Sequence, residues 1–190
     1  PAALPANRGR HPLIWALVLG LDETASTFFV MDEEADSGDI LSQRTVSIEF
    51  DDDASSLYDR VTRVAISQIE DFLPLLAERV FSLSAQDHSL ANNWRKRGAC
   101  DGTIDWRMSA KSIYNLVRGL SYPYVGAHFG YKSSDIKVWK CKIVKGIPVN
   151  IEPGKIVGLG ESGPIIKVGE DAIELVSWDP KIKFKVKGYL

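Results

Sequence analysis

A buried strand that runs into a dense acidic turn and out again into a second strand sets the frame of this chain. Thr27-Phe28-Phe29-Val30 is short, β-branched and aromatic, the pattern of a strand that faces a core. Met31-Asp32-Glu33-Glu34-Ala35-Asp36-Ser37-Gly38-Asp39 follows, with five carboxylates in the eight residues from Asp32 to Asp39. Ile40–Phe50 then resumes a strand pattern, alternating from Thr45 onward. On residue chemistry alone two readings stand. Such a turn is most often a solvated loop, and it is also a common way to present a carboxylate at a cleft. A calcium loop fits poorly, because that motif wants glycine at its sixth position and glutamate at its twelfth, and no metal is expected.

Around this frame the pattern reads α/β. Residues 4–12 form a loop rich in Pro, Gly and Arg, and Pro12 starts a helix over Leu13–Leu19 that Gly20 ends. Arg8 and Arg10, ahead of that helix, can make an anion pocket or simply solvate the loop. Asp51-Asp52-Asp53 caps a long helix whose apolar positions Leu57, Val61, Val64, Ala65, Ile69, Phe72, Leu75 and Leu76 predict one buried face. Pro74 is expected to kink it or to start a second helix. Ser84–Thr103 is polar and reads as a linker, with His88 solvated and Arg95-Lys96-Arg97 on the surface or against a phosphate.

Ser109 caps a further helix, Ala110–Leu120. An aromatic turn at Tyr122–Phe129 leads into a strand, and five more follow: Lys137–Val144, Lys155–Leu159, Ile165–Val168, Ile173–Trp178 and Ile182–Val186. So many short strands in so short a span suggest a small barrel or curled sheet, OB-like in kind. The expected division is residues 1–103 and residues 104–190.

Charge is spread unevenly although its net value is only −2. Leu21–Asp53 holds eleven acidic residues against one basic, and Lys137–Leu190 holds ten lysines against six acids. That is a weak basic excess for a tail that would grip nucleic acid. Trp139, Trp178 and Tyr189 could stack bases, but rings in strands are more often core. The start, Pro1-Ala2-Ala3-Leu4-Pro5, does not read as a signal peptide, and no apolar run is long enough to span a bilayer. Cys100 and Cys141 lack metal spacing and read as reduced thiols, so a cytoplasmic protein is expected.

Three segments, in order, resemble the N10-formyltetrahydrofolate-dependent formyltransferases. Leu4-Pro5-Ala6-Asn7-Arg8-Gly9-Arg10-His11-Pro12 resembles the loop after the family's catalytic histidine. Met31-Asp32-x-x-x-Asp36-Ser37-Gly38-Asp39-Ile40 resembles its Met-Asp-x-x-x-Asp-x-Gly-x-Ile motif. Asp101-Gly102-x-Ile104-Asp105-Trp106, Ile113-x-Asn115-x-Val117-Arg118 and Pro123-Tyr124-x-Gly126-Ala127 form the third group. Glu23-Thr24-Ala25-Ser26-Thr27 departs from the usual Thr-Gly-Val-Thr, which is expected to alter a turn only.

The resemblance implies the second half of a Rossmann-like catalytic domain followed by a small OB-like β-barrel. It implies that Asp36 is the catalytic aspartate, acting with an Asn-x-His that the match sets immediately ahead of Pro1. Without that pair this chain alone is not expected to catalyse transfer. By the same match Ala2, Ala3, Leu4, Pro5, Arg10 and the stretch Asp32, Glu33, Glu34, Ala35, Asp36 line the site of the co-substrate, N10-formyltetrahydrofolate. The implied acceptor is the amine of a 4-amino-deoxy sugar carried on UDP or dTDP. Arg97, Tyr122, Tyr124 and His128 are the candidate contacts to that sugar nucleotide, through stacking and diphosphate pairing. Methionyl-tRNA is the alternative acceptor, a non-enzymatic nucleic-acid module is a third reading, and a homodimer is expected.

Overall fold

In the computed structural model, which describes residues 2–190, the chain divides into two compact units. The first comprises the chain up to Leu17 together with Leu21–Arg97, and the second Val18–Gly20 with Gly98–Leu190.

The first unit is built on an antiparallel pair, β2 (Glu23–Phe29) and β3 (Ile40–Ser47), joined by the acidic turn. β2 begins four residues earlier than its aromatic run suggests, and its fully buried residues are Thr24, Ala25 and Ser26. Thr27, Phe28 and Phe29 are only half-buried and Val30 is exposed, so the expected buried strand is displaced toward the small residues. In β3 the alternation holds from Thr45, with Val46 and Ile48 inward.

Ahead of this pair lie β1 (Arg8–Gly9) and α1 (Pro12–Leu19), whose Leu13, Ile14, Ala16 and Leu17 are buried. Gly20, at φ 69°, lets the Leu21 amide return to the Ala16 carbonyl at 3.0 Å and stops the helix.

Helix α2 (Ala54–Ala77) starts where the aspartates predict. Asp53 accepts the amides of Ser55 and Ser56, and Ser56 Oγ accepts the Asp53 amide, so two orphan donors are satisfied reciprocally. Leu57 and Val61 are buried against β2 and β3, and buried Gln68 donates to the Ser26 carbonyl and Ser42 Oγ. The apolar face is not covered along its whole length. Ile69 and Leu75 are exposed, because two strands are too narrow to shield seven turns of helix. Pro74 lies inside one continuous helix.

The segment from Ser84 onward is not a loose linker. Ser84 pairs with Ile40 through two backbone hydrogen bonds, His88–Leu90 form a 3₁₀ turn, and β4 (Asn93–Trp94) lies parallel to β1. This stretch folds back over the Arg-Gly loop and the end of the acidic turn.

The second unit packs α3 (Ala110–Gly119), capped by Ser109, on a five-stranded antiparallel sheet. Its strands are β5 (Ala127–Tyr131), β6 (Ser134–Val144), β7 (Ile156–Leu159), β8 (Pro164–Lys167) and β9 (Ala172–Asp179). The order is β5-β6-β9-β8-β7. Ile113, Val117, Ile136, Val138, Ile166, Ile173 and Leu175 form the shared core. The expected strand at Ile182–Val186 is absent. Phe184 instead packs its ring beside Phe129, Tyr131 and Trp178 at 5.4–6.3 Å. The last residues supply the pairing, with the Ile156 amide donating to Gly188 and the Leu190 amide to Gly154.

Candidate active site

The acidic turn is tightly closed. The Val30 amide donates to the Asp39 carbonyl at 2.9 Å and Ser37 Oγ to the Glu34 carbonyl at 2.8 Å. A Cβ on Gly38 would fall 1.8 Å from the Val30 carbonyl oxygen, so only glycine lets the two arms approach. Inside this turn Asp36 takes a left-handed conformation, φ 60°, which aspartate tolerates better than most residues. Asp36 is half-buried, and its carboxylate accepts the Gly9 amide at 2.9 Å.

Gly9 is placed there by pairing on either side of it. The Arg8 amide donates to Asn92 and the Arg10 amide to Trp94, each at 3.0 Å. Gly9 has φ 99°, and a Cβ there would meet the Trp94 carbonyl oxygen at 2.4 Å. Arg8 is 7% exposed, its guanidinium donating to Gln86 Oε1 at 2.7 Å and lying 3.1 Å from His88 Nδ1. Arg10 is exposed. The two arginines therefore do not form one anion pocket, since Arg8 is turned inward. His88 is exposed as expected but touches Arg8.

The leading loop is tied to the same sheet. The Ala2 carbonyl accepts Thr27 Oγ1 at 2.6 Å, and the Leu4 carbonyl accepts Gln43 Nε2 at 2.8 Å. Leu4 is buried, while Ala3 and Pro5 are half-buried. Asp32, Glu33, Glu34 and Ala35 are exposed and, with Phe29, Met31 and Asp36, line a hollow of about 360 Å³. A second hollow of about 520 Å³ opens beside Val30, Met31, Asp32, Glu33, Gly38, Asp39 and Leu83. Backbone amides and carbonyls of one turn, next to Phe29 and Met31, are what a flat heterocycle with a hydrogen-bonding edge requires.

The candidate acceptor contacts are divided between the two units. In the first unit, Arg97 lays its guanidinium 4.5 Å from the Trp15 ring centre, with Arg95 at 5.4 Å. In the second unit, Tyr122 is exposed, Tyr124 is half-buried, and His128 Nε2 lies 3.3 Å from Thr103 Oγ1. The third motif group has structural work there. Arg118 donates from Nε to Asn115 Oδ1 at 2.9 Å, the Ile104 amide donates to the His128 carbonyl at 2.7 Å, and Trp106 meets Phe129 edge-on at 4.9 Å.

Gln86 is the residue that sequence reasoning passed over. It is 7% exposed and donates from Nε2 to the carbonyls of Asp36 and Gly38. A glutamine in a polar stretch carries no periodicity, and only the fold of residues 84–94 brings it under the turn.

Two family models match the chain, the formyl transferase domain over residues 1–71 and the formyl transferase C-terminal domain over residues 97–189. This chain belongs to the formyl transferase family. Several solved structures share its fold. An N-formyltransferase from Helicobacter canadensis, in complex with folinic acid and dTDP-3-aminofucose, matches with a TM-score of 0.71 and 16% identity, over 92% of this chain and 63% of its own. HypX from Aquifex aeolicus, in complex with tetrahydrofolic acid, matches with a TM-score of 0.68 and 20% identity, over 88% of this chain and 29% of its own. Methionyl-tRNA formyltransferase from Clostridium thermocellum matches with a TM-score of 0.65 and 21% identity, over 77% of this chain and 61% of its own. The chain thus spans less than two thirds of each of these relatives. No helix among the described residues is long and apolar enough to cross a membrane.

Proposed function

We propose that this chain carries the Asp36 half of a formyl-transfer site, moving the formyl group of N10-formyltetrahydrofolate to the amine of a nucleotide-linked amino sugar. The observation that supports it most directly is the Gly9 amide on the Asp36 carboxylate, which joins two family motifs at the wall of the hollow. In this reading the folate's pterin edge pairs with backbone groups of Asp32–Asp36, over Phe29 and Met31, with Ala2–Pro5 and Arg10 along the same wall. A neutral amine attacks the formyl carbon, an oxyanion develops, the attacking nitrogen loses a proton, and collapse of the oxyanion breaks the formyl C–N10 bond as N10 of tetrahydrofolate leaves with a proton. Asp36 orients the family's histidine and stabilises its charged form, or takes the amine proton through it, as the carboxylate of a hydrolase triad does. Arg97, Tyr122, Tyr124 and His128 are assigned to the sugar nucleotide. An OB-like curl of the second sheet, a homodimer and a cytoplasmic setting belong to the same reading.

The acceptor assignment rests on the first and third motif groups and on the modest basic excess of the tail, which is small for tRNA. The test uses the protein carrying an Asn-x-His segment ahead of Pro1, incubated with N10-formyltetrahydrofolate and, separately, UDP- and dTDP-4-amino sugars and methionyl-tRNA. A mass gain of one formyl group on a sugar nucleotide, lost in Asp36→Asn, is expected. Gain on methionyl-tRNA alone overturns the acceptor, and gain on none overturns the activity.

A further inference from the structure

We infer that Gln86, held by Arg8, is a positioning residue for the Asp36 carboxylate; the inference rests on Asp36 being the catalytic aspartate. Two backbone carbonyls of the acidic turn converge on one side-chain nitrogen. Gln86 Nε2 lies 3.1 Å from the Asp36 oxygen and 2.6 Å from the Gly38 oxygen. A primary amide has two N–H groups, and here one goes to each carbonyl. That fixes the amide's other end, whose Oε1 accepts Arg8 Nη2 at 2.7 Å. Both residues are more than nine-tenths buried.

The neutral amide is set by the turn and not by the arginine. A glutamate at 86 would pair with Arg8 more strongly, yet it would turn an oxygen toward two carbonyl oxygens. Arg8 keeps no carboxylate partner among the described residues, and its Nε is unpartnered. The cost of burying the guanidinium this way is tolerated where it locks Gln86. Neighbouring residues thus grip opposite ends of Asp36. The Gly9 amide takes the carboxylate, while Arg8, through Gln86, takes the backbone that holds φ at 60°. Misplacing a catalytic group by about 1 Å can cost roughly 100-fold in rate.

The first measurement is amide hydrogen exchange on this chain with Gln86→Glu. Protection of the Gly9 amide is expected to fall by about tenfold or more while amides of α3 and β6 keep theirs. Unchanged Gly9 protection overturns the inference. Should Gln86→Glu fail to fold, Arg8→Lys is measured in the same way, and loss of fold in both makes the pair structural only.

The second measurement is kinetic, in the protein carrying the Asn-x-His segment. Gln86→Glu is expected to lower kcat by about 100-fold, and to cost under about 3-fold in the Asp36→Asn background. Equal costs in both backgrounds overturn it. If Asp36→Asn itself leaves kcat unchanged, the reading of Asp36 fails, whatever Gly9 exchange shows.

Discussion

The Gly9 amide donates to Oδ2 of Asp36 across 2.9 Å, joining two loops that lie 27 residues apart in the chain. A backbone donor has no rotamers to lose, so the carboxylate is oriented without ordering a second side chain. Replacing Asp36 with Asn keeps the side chain's size but removes the charge that would stabilise an imidazolium. Formyl transfer is expected to fall by about 10⁴-fold, with folate affinity changed by far less, as read from kcat and from calorimetric titration.

Gly38→Ala tests the turn itself. The added methyl has no room beside the Val30 carbonyl, so the two arms of the turn must part. We expect a loss of at least about 2 kcal/mol in stability and loss of folate binding, measured by urea unfolding and titration. Unaltered binding would remove the turn from the co-substrate site.

Asp52 gives the first unit an acid-sensitive anchor. It is 4% exposed. Burial pushes its carboxyl upward, but bonds from Arg60, the Glu49 amide and Ser56 outweigh this and hold it below the ordinary value of 3.8. With the folded value depressed, the stabilisation is present above 3.8 and is lost as pH falls through the folded value. Arg60→Met should cost about 2 kcal/mol at neutral pH, with the gap to wild type closing as pH falls through the depressed folded value of Asp52. A constant gap across that range would exclude the pair as its source.

The two cysteines should react very differently. Burial pushes the Cys141 thiol up to about 12, whereas Cys100 is exposed. A thiol reagent at neutral pH is expected to label Cys100 in the native protein, with Cys141 labelled only in denaturant. Mass spectrometry of the labelled peptides decides it.

The helix cap offers a local check. Asp53→Ala removes the acceptor for two amides at the start of α2 and should destabilise by about 1 kcal/mol, read from thermal unfolding. A shift no larger than that of an exposed Asp59→Ala control would show that the first turn is held by burial of Ala54 and Leu57 instead.

Much was legible in the residues because the signals are local. Pro12 and Gly20 bound α1, Asp53 opens α2, Ser109 opens α3, and Ser37-Gly38 turns the acidic run, each through chemistry that acts within a few residues. The motif match named Asp36 for the same reason, since its turn is written in ten consecutive residues. Other features were set by neighbours distant in sequence. Thr24, Ala25 and Ser26 are the buried part of β2, where Gln68 of α2 reaches the Ser26 carbonyl, while Ile69 and Leu75 stay exposed because the two-stranded sheet ends short of them. Phe184 joins an aromatic cluster in place of a strand.

By itself, then, the sequence determined the starts of the three helices, the family motifs and the carboxylate at the turn, since propensity, capping and turn chemistry need only adjacent residues. Only the tertiary structure decided what orients that carboxylate. Gly9 and Gln86 lie 27 and 50 residues from Asp36, and hydrogen bonds of about 3 Å form only where folding cancels that separation.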